Sequence, residues 1–314
     1  MSMSGMARVW RVSFMVLLAG AMVVAAAVAQ RFAPSRLEPR HEGRRLGQWL
    51  RGHPREYAPA VQAVGSNALP YLLSELQITD PAWVRWAERQ LGDFGTPWEP
   101  ARARRYHAQI ALQILDTNAV PALLDAVFAR PMRLLEGDAG YEAACAMSRL
   151  SSPAARSVIQ ARIADALRSP EAATRRNACL AVLAGNIDRS AAPVQLLALT
   201  RDREPAVRAA ATRAVLFWHV QEAAVLPAIA ERLGDDSAIV RLIAADTLRA
   251  CGTNAVQALP ALRAAFEAEP SRPRGAEIPD ESYPCPLSAG WLRGVMQEAM
   301  RAIDPSAPSP RESR

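Results

Sequence analysis

Arg175, Arg208 and Arg241 step through this chain at intervals of 33 residues, and their neighbours keep the step. Ala178, Ala211 and Ala244 follow it, as do Ser169, Asp202 and Asp235, and Val182, Val215 and Leu248. Several positions sharing one period is the mark of a repeating supersecondary unit that cannot bury its apolar face alone and stacks on its neighbours to do so. The pattern predicts an all-α chain, an α-solenoid of about six helix pairs, whose use is to present a long surface. Half the residues are hydrophobic and alternating strand patterns are scarce, in keeping with that class.

A second echo falls at turns. Gly65-Ser66-Asn67-Ala68-Leu69-Pro70 is matched by Asp116-Thr117-Asn118-Ala119-Val120-Pro121 and by Gly252-Thr253-Asn254-Ala255-Val256. Here the first helix of a pair is expected to stop at Gly or Asp, with Ser or Thr capping the second through its side-chain oxygen. The resulting units are 55–79, 102–130, 140–168, 169–201, 202–234 and 235–268, the third fitting least well. Val207, Ala211, Ala214 and Trp218 share one helical face in the fifth; Val240, Ala244, Leu248 and Cys251 do so in the sixth. The solenoid as a whole spans 55–268 with an insertion at about 80–101. A Pro-rich loop and a capping helix occupy 269–303, with Leu292, Val295, Met296, Ala299 and Ile303 on one face, and 304–314 reads as a disordered tail.

At the amino terminus Arg8 and Arg11 precede an apolar run over 12–29, broken only by Ser13 and Gly20. The run is long for a signal peptide and short for a spanning helix. Ala27-Val28-Ala29 fits a signal-peptidase site, so residues 1–30 are either a cleaved signal or a membrane anchor. Export follows from the short basic tail, giving a chain anchored in an inner membrane facing the periplasm or released there. Residues 31–54 read as a basic linker and N-terminal cap. The seven arginines of 31–55, set against Glu38 and Glu42, pull the other way, toward a cytoplasmic face.

Chemistry is sparse. All 37 basic residues are arginine, which removes Schiff-base and P-loop lysine chemistry. Of the net charge of +6, Arg8 and Arg11 supply two, and the rest is interspersed with acids, mild for a nucleic-acid binder. His41, His53, His107 and His219 have no metal-ligand spacing, and Cys145, Cys179, Cys251 and Cys285 form no C-x-x-C pair. Cys145 sits in the alanine column of the repeat and is expected to be buried. In an exported chain Cys251 and Cys285 are expected to form a disulfide. No catalytic residues, cofactor, metal or small-molecule substrate are expected. Trp83, Trp86 and Trp98, close in sequence to Arg102, Arg104 and Arg105, are the candidate partner-binding residues, because aromatics and arginines are enriched in interfaces.

The segments Asp202-Arg203-Glu204-Pro205-Ala206-Val207-Arg208 and Asp236-Ser237-Ala238-Ile239-Val240-Arg241, each leading into an alanine-rich helix, resemble HEAT repeats, in particular the short type named after phycobiliprotein lyases. Glu42-Gly43-Arg44-Arg45-Leu46-Gly47-Gln48-Trp49-Leu50 resembles the segment after the membrane anchor in a group of bacterial HEAT proteins. The resemblance implies structural roles for Asp202, Asp235, Arg208 and Arg241, and for Arg175 although Ser169 stands where its unit would carry Asp. It implies a non-enzymatic scaffold for protein partners. An accessory to tetrapyrrole-lyase-like chemistry and a HEAT-like nucleic-acid binder are the alternatives it leaves.

Overall fold

The computed structural model describes residues 37–82, 84–85, 99–134, 137–185, 193–217, 225–269 and 289–306. Among the described residues the fold is all-α apart from one small hairpin. β1 (Arg40–His41) and β2 (Arg44–Arg45) pair antiparallel, Arg40 opposite Arg45 and His41 opposite Arg44. Part of the expected linker is therefore ordered. Glu42 and Gly43 both have positive φ (49° and 75°), the conformation a two-residue type I′ turn demands. Helix α1 (Leu46–Leu50) follows and buries Leu46 and Leu50. The apolar run at 12–29, with its signal-or-anchor reading, lies outside the described residues, as does the tail beyond Ser306.

Six helix pairs come next: α2 (Pro54–Val64) with α3 (Leu69–Leu76), α4 (Ala101–Leu115) with α5 (Val120–Phe128), α6 (Ala139–Met147) with α7 (Pro153–Leu167), α8 (Ala172–Gly185) with α9 (Pro193–Leu199), α10 (Pro205–Ala214) with α11 (Val225–Glu231), and α12 (Ala238–Cys251) with α13 (Leu259–Ala268). The first helix of each pair packs on the first helix of the next, from α2 through α12 to α14 (Ala289–Ile303). Each second helix rests on the first helix of the following pair. Small residues permit the close approach: Ala178, Ala211 and Ala244, one per unit in the same column, have no exposed surface. Larger side chains fill the space between second helices, with Leu196, Ile229, Leu233 and Leu262 almost wholly buried. α14 closes the end by burying Leu292, Met296, Ala299 and Ile303 against α12 and α13.

The turns within pairs differ from the expectation. Ser66, Thr117 and Thr253 do not cap the second helices; the N-caps are Ala68, Ala119 and Ala258, with no side-chain cap bond. A 3-10 turn (Gly65–Ala68, Asp116–Ala119, Gly252–Ala258) runs straight into each second helix. Its tighter i→i+3 bonds give the first N–H groups of that helix their partners, so no hydroxyl is needed. The change of direction falls on one residue with positive φ: Gly65 (60°), Asp116 (47°) and Gly252 (56°). Asp116 takes this conformation although it is not glycine, which Asp tolerates better than most residues.

The stretch Ala101–Phe128 has a mean hydropathy of 1.3 over its most apolar window and is long enough by composition to cross a membrane. Its backbone breaks at Asp116 into α4 and α5, and 44% of that window is buried against the rest of the protein. It is the apolar interior of the second helix pair.

The N-terminal cap is held by a tight polar contact. Gly47 N–H donates to Glu38 Oε1 at 2.9 Å, and a Cβ on Gly47 would sit 2.8 Å from that oxygen and against the Tyr71 hydroxyl. Burial, with Glu75 and Glu38 close by, raises the Tyr71 phenol above its ordinary pKa, so it keeps its proton. Gly47→Ala is expected to lower stability by about 1–3 kcal/mol through overpacking. Urea titration monitored by circular dichroism measures it; an unchanged midpoint would mean that the cap shifts freely.

Candidate partner-binding surface

The 33-residue step has a chemical cause. Arg175 donates from Nε and Nη2 to both carboxylate oxygens of Asp202, at 2.8 and 3.0 Å, and from Nη1 to the Ser169 and Pro170 carbonyls. Arg208 does the same with Asp235, at 2.8 Å for both bonds, and with the Asp202 and Arg203 carbonyls. Arg241 repeats it with Glu269, at 2.9 and 2.7 Å, and with the Asp235 and Asp236 carbonyls. Each guanidinium thus closes its own unit's entry turn and grips the acid of the next unit in a bidentate pair, a geometry that lysine cannot reproduce. The aspartates also order the turn they belong to: Asp202 Oδ1 accepts from Glu204 N–H and Asp235 Oδ1 from Ser237 N–H, both at 2.9 Å. Ser169 needs no carboxylate, because the residue 33 before Arg175 is Glu142 and not an arginine that would seek one.

Upstream the same register holds other residues. Glu142 stands in the arginine column, 33 before Arg175, and Gln109 stands 33 before Glu142. Glu142 therefore pairs backward, with Arg105 Nε at 3.1 Å and with Gln109 Nε2 at 3.0 Å. Asn177 joins the second and fourth units: its amide donates to the Val127 and Arg130 carbonyls and its oxygen accepts from Met132 N–H. Arg176 adds a bond to the Met132 carbonyl at 2.9 Å.

Asp202 is partly desolvated, which favours its neutral form, but its bonds from Arg175 and the Glu204 N–H outweigh this and hold its pKa below the ordinary value. A carboxylate with a depressed folded-state pKa adds stability above its unfolded pKa, about 3.9, and that contribution disappears as pH falls through the folded value. Wild-type Tm should therefore fall more steeply than that of Asp202→Asn between about pH 4 and pH 2. Parallel curves from differential scanning calorimetry would contradict this.

Among the candidate partner-binding residues, Trp83, Trp86 and Trp98 lie outside the described residues. Arg102 is exposed on α4. Arg104 forms a bidentate pair with the buried Glu75, at 2.8 and 2.6 Å, and Arg105 is buried with Glu142 and the Ile78 carbonyl. Both guanidinium groups are thus committed inside the protein, because α4 packs against α3 and α6. Two recesses were not legible in the sequence. A cleft of about 550 Å³ opens between the ends of α3 and α5 and the segment entering α6, lined by Gln77, Thr79, Arg130, Arg133, Gly137 and Asp138. A shallower groove of similar volume follows the outer edge of the clamps, where Arg201, Arg203, Arg208 and Arg232 alternate with Asp202, Glu231, Asp235 and Asp236. Four cations meet four anions there, so the groove offers no net charge to a ligand.

His107 lies edge-on between Tyr57 and Tyr106, with ring centroids 6.0 and 5.7 Å away, its Nδ1 3.5 Å from the Tyr57 hydroxyl and its Nε2 3.8 Å from Glu99. His53 caps α2 by accepting from Arg55 N–H. His219 lies outside the described residues. Cys145, Cys179 and Cys251 are free thiols. Cys145 is only half-buried, unlike the alanines of its column. Burial pushes the Cys251 thiol up to about 11 and raises Cys179 further, which suppresses the reactive thiolate. Cys285 lies outside the described residues, so its pairing with Cys251 stays an expectation.

The family model described as HEAT repeats matches residues 193–278. That segment is similar to HEAT repeats. The matched segment holds two complete clamps, Arg208–Asp235 and Arg241–Glu269, and the acid of the third. No curated protein and no solved structure matches the chain. HEAT repeats stack into extended surfaces and generally serve protein–protein interaction.

Proposed function

We propose that this chain is a HEAT-type α-solenoid scaffold, without catalytic activity of its own, tethered by its N-terminal apolar segment to a bacterial inner membrane or exported across it. The observation that carries the reading is the clamp repeated three times at one spacing, each joining a unit only to its neighbour. Such nearest-neighbour joints generate an elongated surface, and the polar groups they use are satisfied internally instead of facing a reacting centre. Partner contact centres on the cleft beside Arg130 and Arg133 and on the exposed Arg102.

Proximity labelling in the native cell, with the labelling enzyme at the carboxyl terminus, tests this. A small set of partner proteins, with neighbours from the membrane or periplasm, is expected. The exposed-site variant Arg130→Glu/Arg133→Glu should lower labelling of those partners by about tenfold, as loss of interface arginines does, while leaving Tm within 2 °C or so. A labelled set no different from that of a freely diffusing control would overturn the scaffold reading.

A further inference from the structure

The β1–β2 hairpin concentrates positive charge in a way that its own fold disfavours. Arg40 lies directly opposite Arg45, and His41 opposite Arg44. Like charges at opposed positions destabilise a strand pair unless something outside neutralises them. Among the described residues no ion pair does so: Arg40 and Arg45 have no carboxylate partner there, and Arg44 lies over the Trp49 ring, 4.3 Å from its centroid. Of the nearby acids, Glu38 is turned inward to Gly47 N–H and Glu42 sits by His41. The hairpin is also braced. Its turn is of the tight two-residue kind, and Trp49 Nε1 donates to the His41 carbonyl at 3.3 Å. α1 and α2, which pack against it, bring the exposed Arg51 and Arg55 to the same end of the protein. Leu37, 54% exposed, precedes it. Seven residues separate the end of the apolar run at 12–29 from Leu37, so this basic end lies within about 30 Å of whatever receives that run.

We propose that the Arg40–Arg45 hairpin docks on an anionic bilayer surface, its guanidinium groups taking lipid phosphates and Leu37 entering the headgroup layer. Arginine suits this contact because its planar fork bonds phosphate bidentately. The docked hairpin fixes how the first helix pair stands on the membrane, so the array leaves the surface in one direction instead of swinging on a free linker. The inference rests on the membrane-tether reading above.

The full chain, reconstituted in nanodiscs of phosphatidylcholine alone or mixed with phosphatidylglycerol, is followed by hydrogen exchange at the amides of residues 40–45. Exchange should slow in the anionic discs and recover in 0.5 M salt, where screening reaches within a few ångströms. Each arginine at such a surface contributes about fivefold, so Arg40→Gln/Arg45→Gln should lower the docked-to-undocked ratio roughly thirtyfold. Arg40→Lys/Arg45→Lys should retain the anionic preference, and exchange in phosphatidylcholine discs shows whether each variant hairpin still folds. Chain that inserts in both discs with identical exchange at 40–45, or a lysine variant that folds without lipid preference, would overturn the docking. Chain that inserts in neither disc would overturn the tether reading and the docking with it.

Discussion

Arg241→Ala should destabilise the protein by about 3–5 kcal/mol, the cost of leaving a buried carboxylate without its cation. Among the described residues Arg241 is the largest wholly buried side chain, and Glu269 is only 4% exposed. The arginine makes four hydrogen bonds, two to Glu269 and two to the carbonyls of Asp235 and Asp236. Removing it orphans all four acceptors and leaves a void between α12 and α13. Arg241→Lys should recover only part of the loss, since one ammonium cannot fork to the carboxylate and still reach both carbonyls. Arg201→Ala is the control. Arg201 also forms a bidentate-looking pair, with Glu231, but both side chains are largely exposed, and the expected change is below about 1 kcal/mol. Chemical denaturation of the three variants distinguishes the cases. A loss for Arg241→Ala no larger than for Arg201→Ala would mean that the clamp is decorative.

Asn177→Ala should cost about 3 kcal/mol, because a buried amide that satisfies three backbone groups is replaced by nothing. Asn177 is 2% exposed and bonds the Val127 and Arg130 carbonyls and the Met132 N–H. The segment it holds supplies Arg130 and Arg133 to the cleft. Its loss should therefore loosen that wall before the whole molecule unfolds. Hydrogen exchange at 127–133 in the variant, under native conditions, should rise by at least tenfold while α12 stays protected. Unchanged exchange there would show that Met132 packing and the Arg176 bond to the Met132 carbonyl hold the segment without Asn177.

The contrast between these two residues explains what the sequence disclosed. Arg241 was conspicuous because its role recurs with Arg175 and Arg208, and a role repeated at one spacing leaves a period. Asn177 performs its role once and leaves none. Glu142 was harder still: it sits in the arginine column with opposite charge, so the third unit looked irregular. The structure shows the register intact and the pairing reversed, toward Arg105 and Gln109. Arg104 and Arg105 looked like interface residues because they lie close in sequence to Trp83, Trp86 and Trp98, and aromatics and arginines are enriched in interfaces. Their commitment to Glu75 and Glu142 depends on contacts with α3 and α6 that no local pattern contains. The turn residues misled for a related reason. Ser and Thr after a helix stop suggest a cap, but a 3-10 turn does the same work with backbone alone.

The clamps all point one way. Arg175, Arg208 and Arg241 reach toward the carboxyl terminus, and the acid that answers each lies 27 or 28 residues further on. A cut made between units therefore strands a desolvated cation on the upstream piece and bares a carboxylate on the downstream one. Lengthening the array without such loose ends requires adding a whole period, which inserts one donor and one acceptor together. Duplication of a single unit in register is thus the one change of length that the interior electrostatics accept unaltered, while a gain or loss of a few residues in any entry turn misaligns a fork and its target at once.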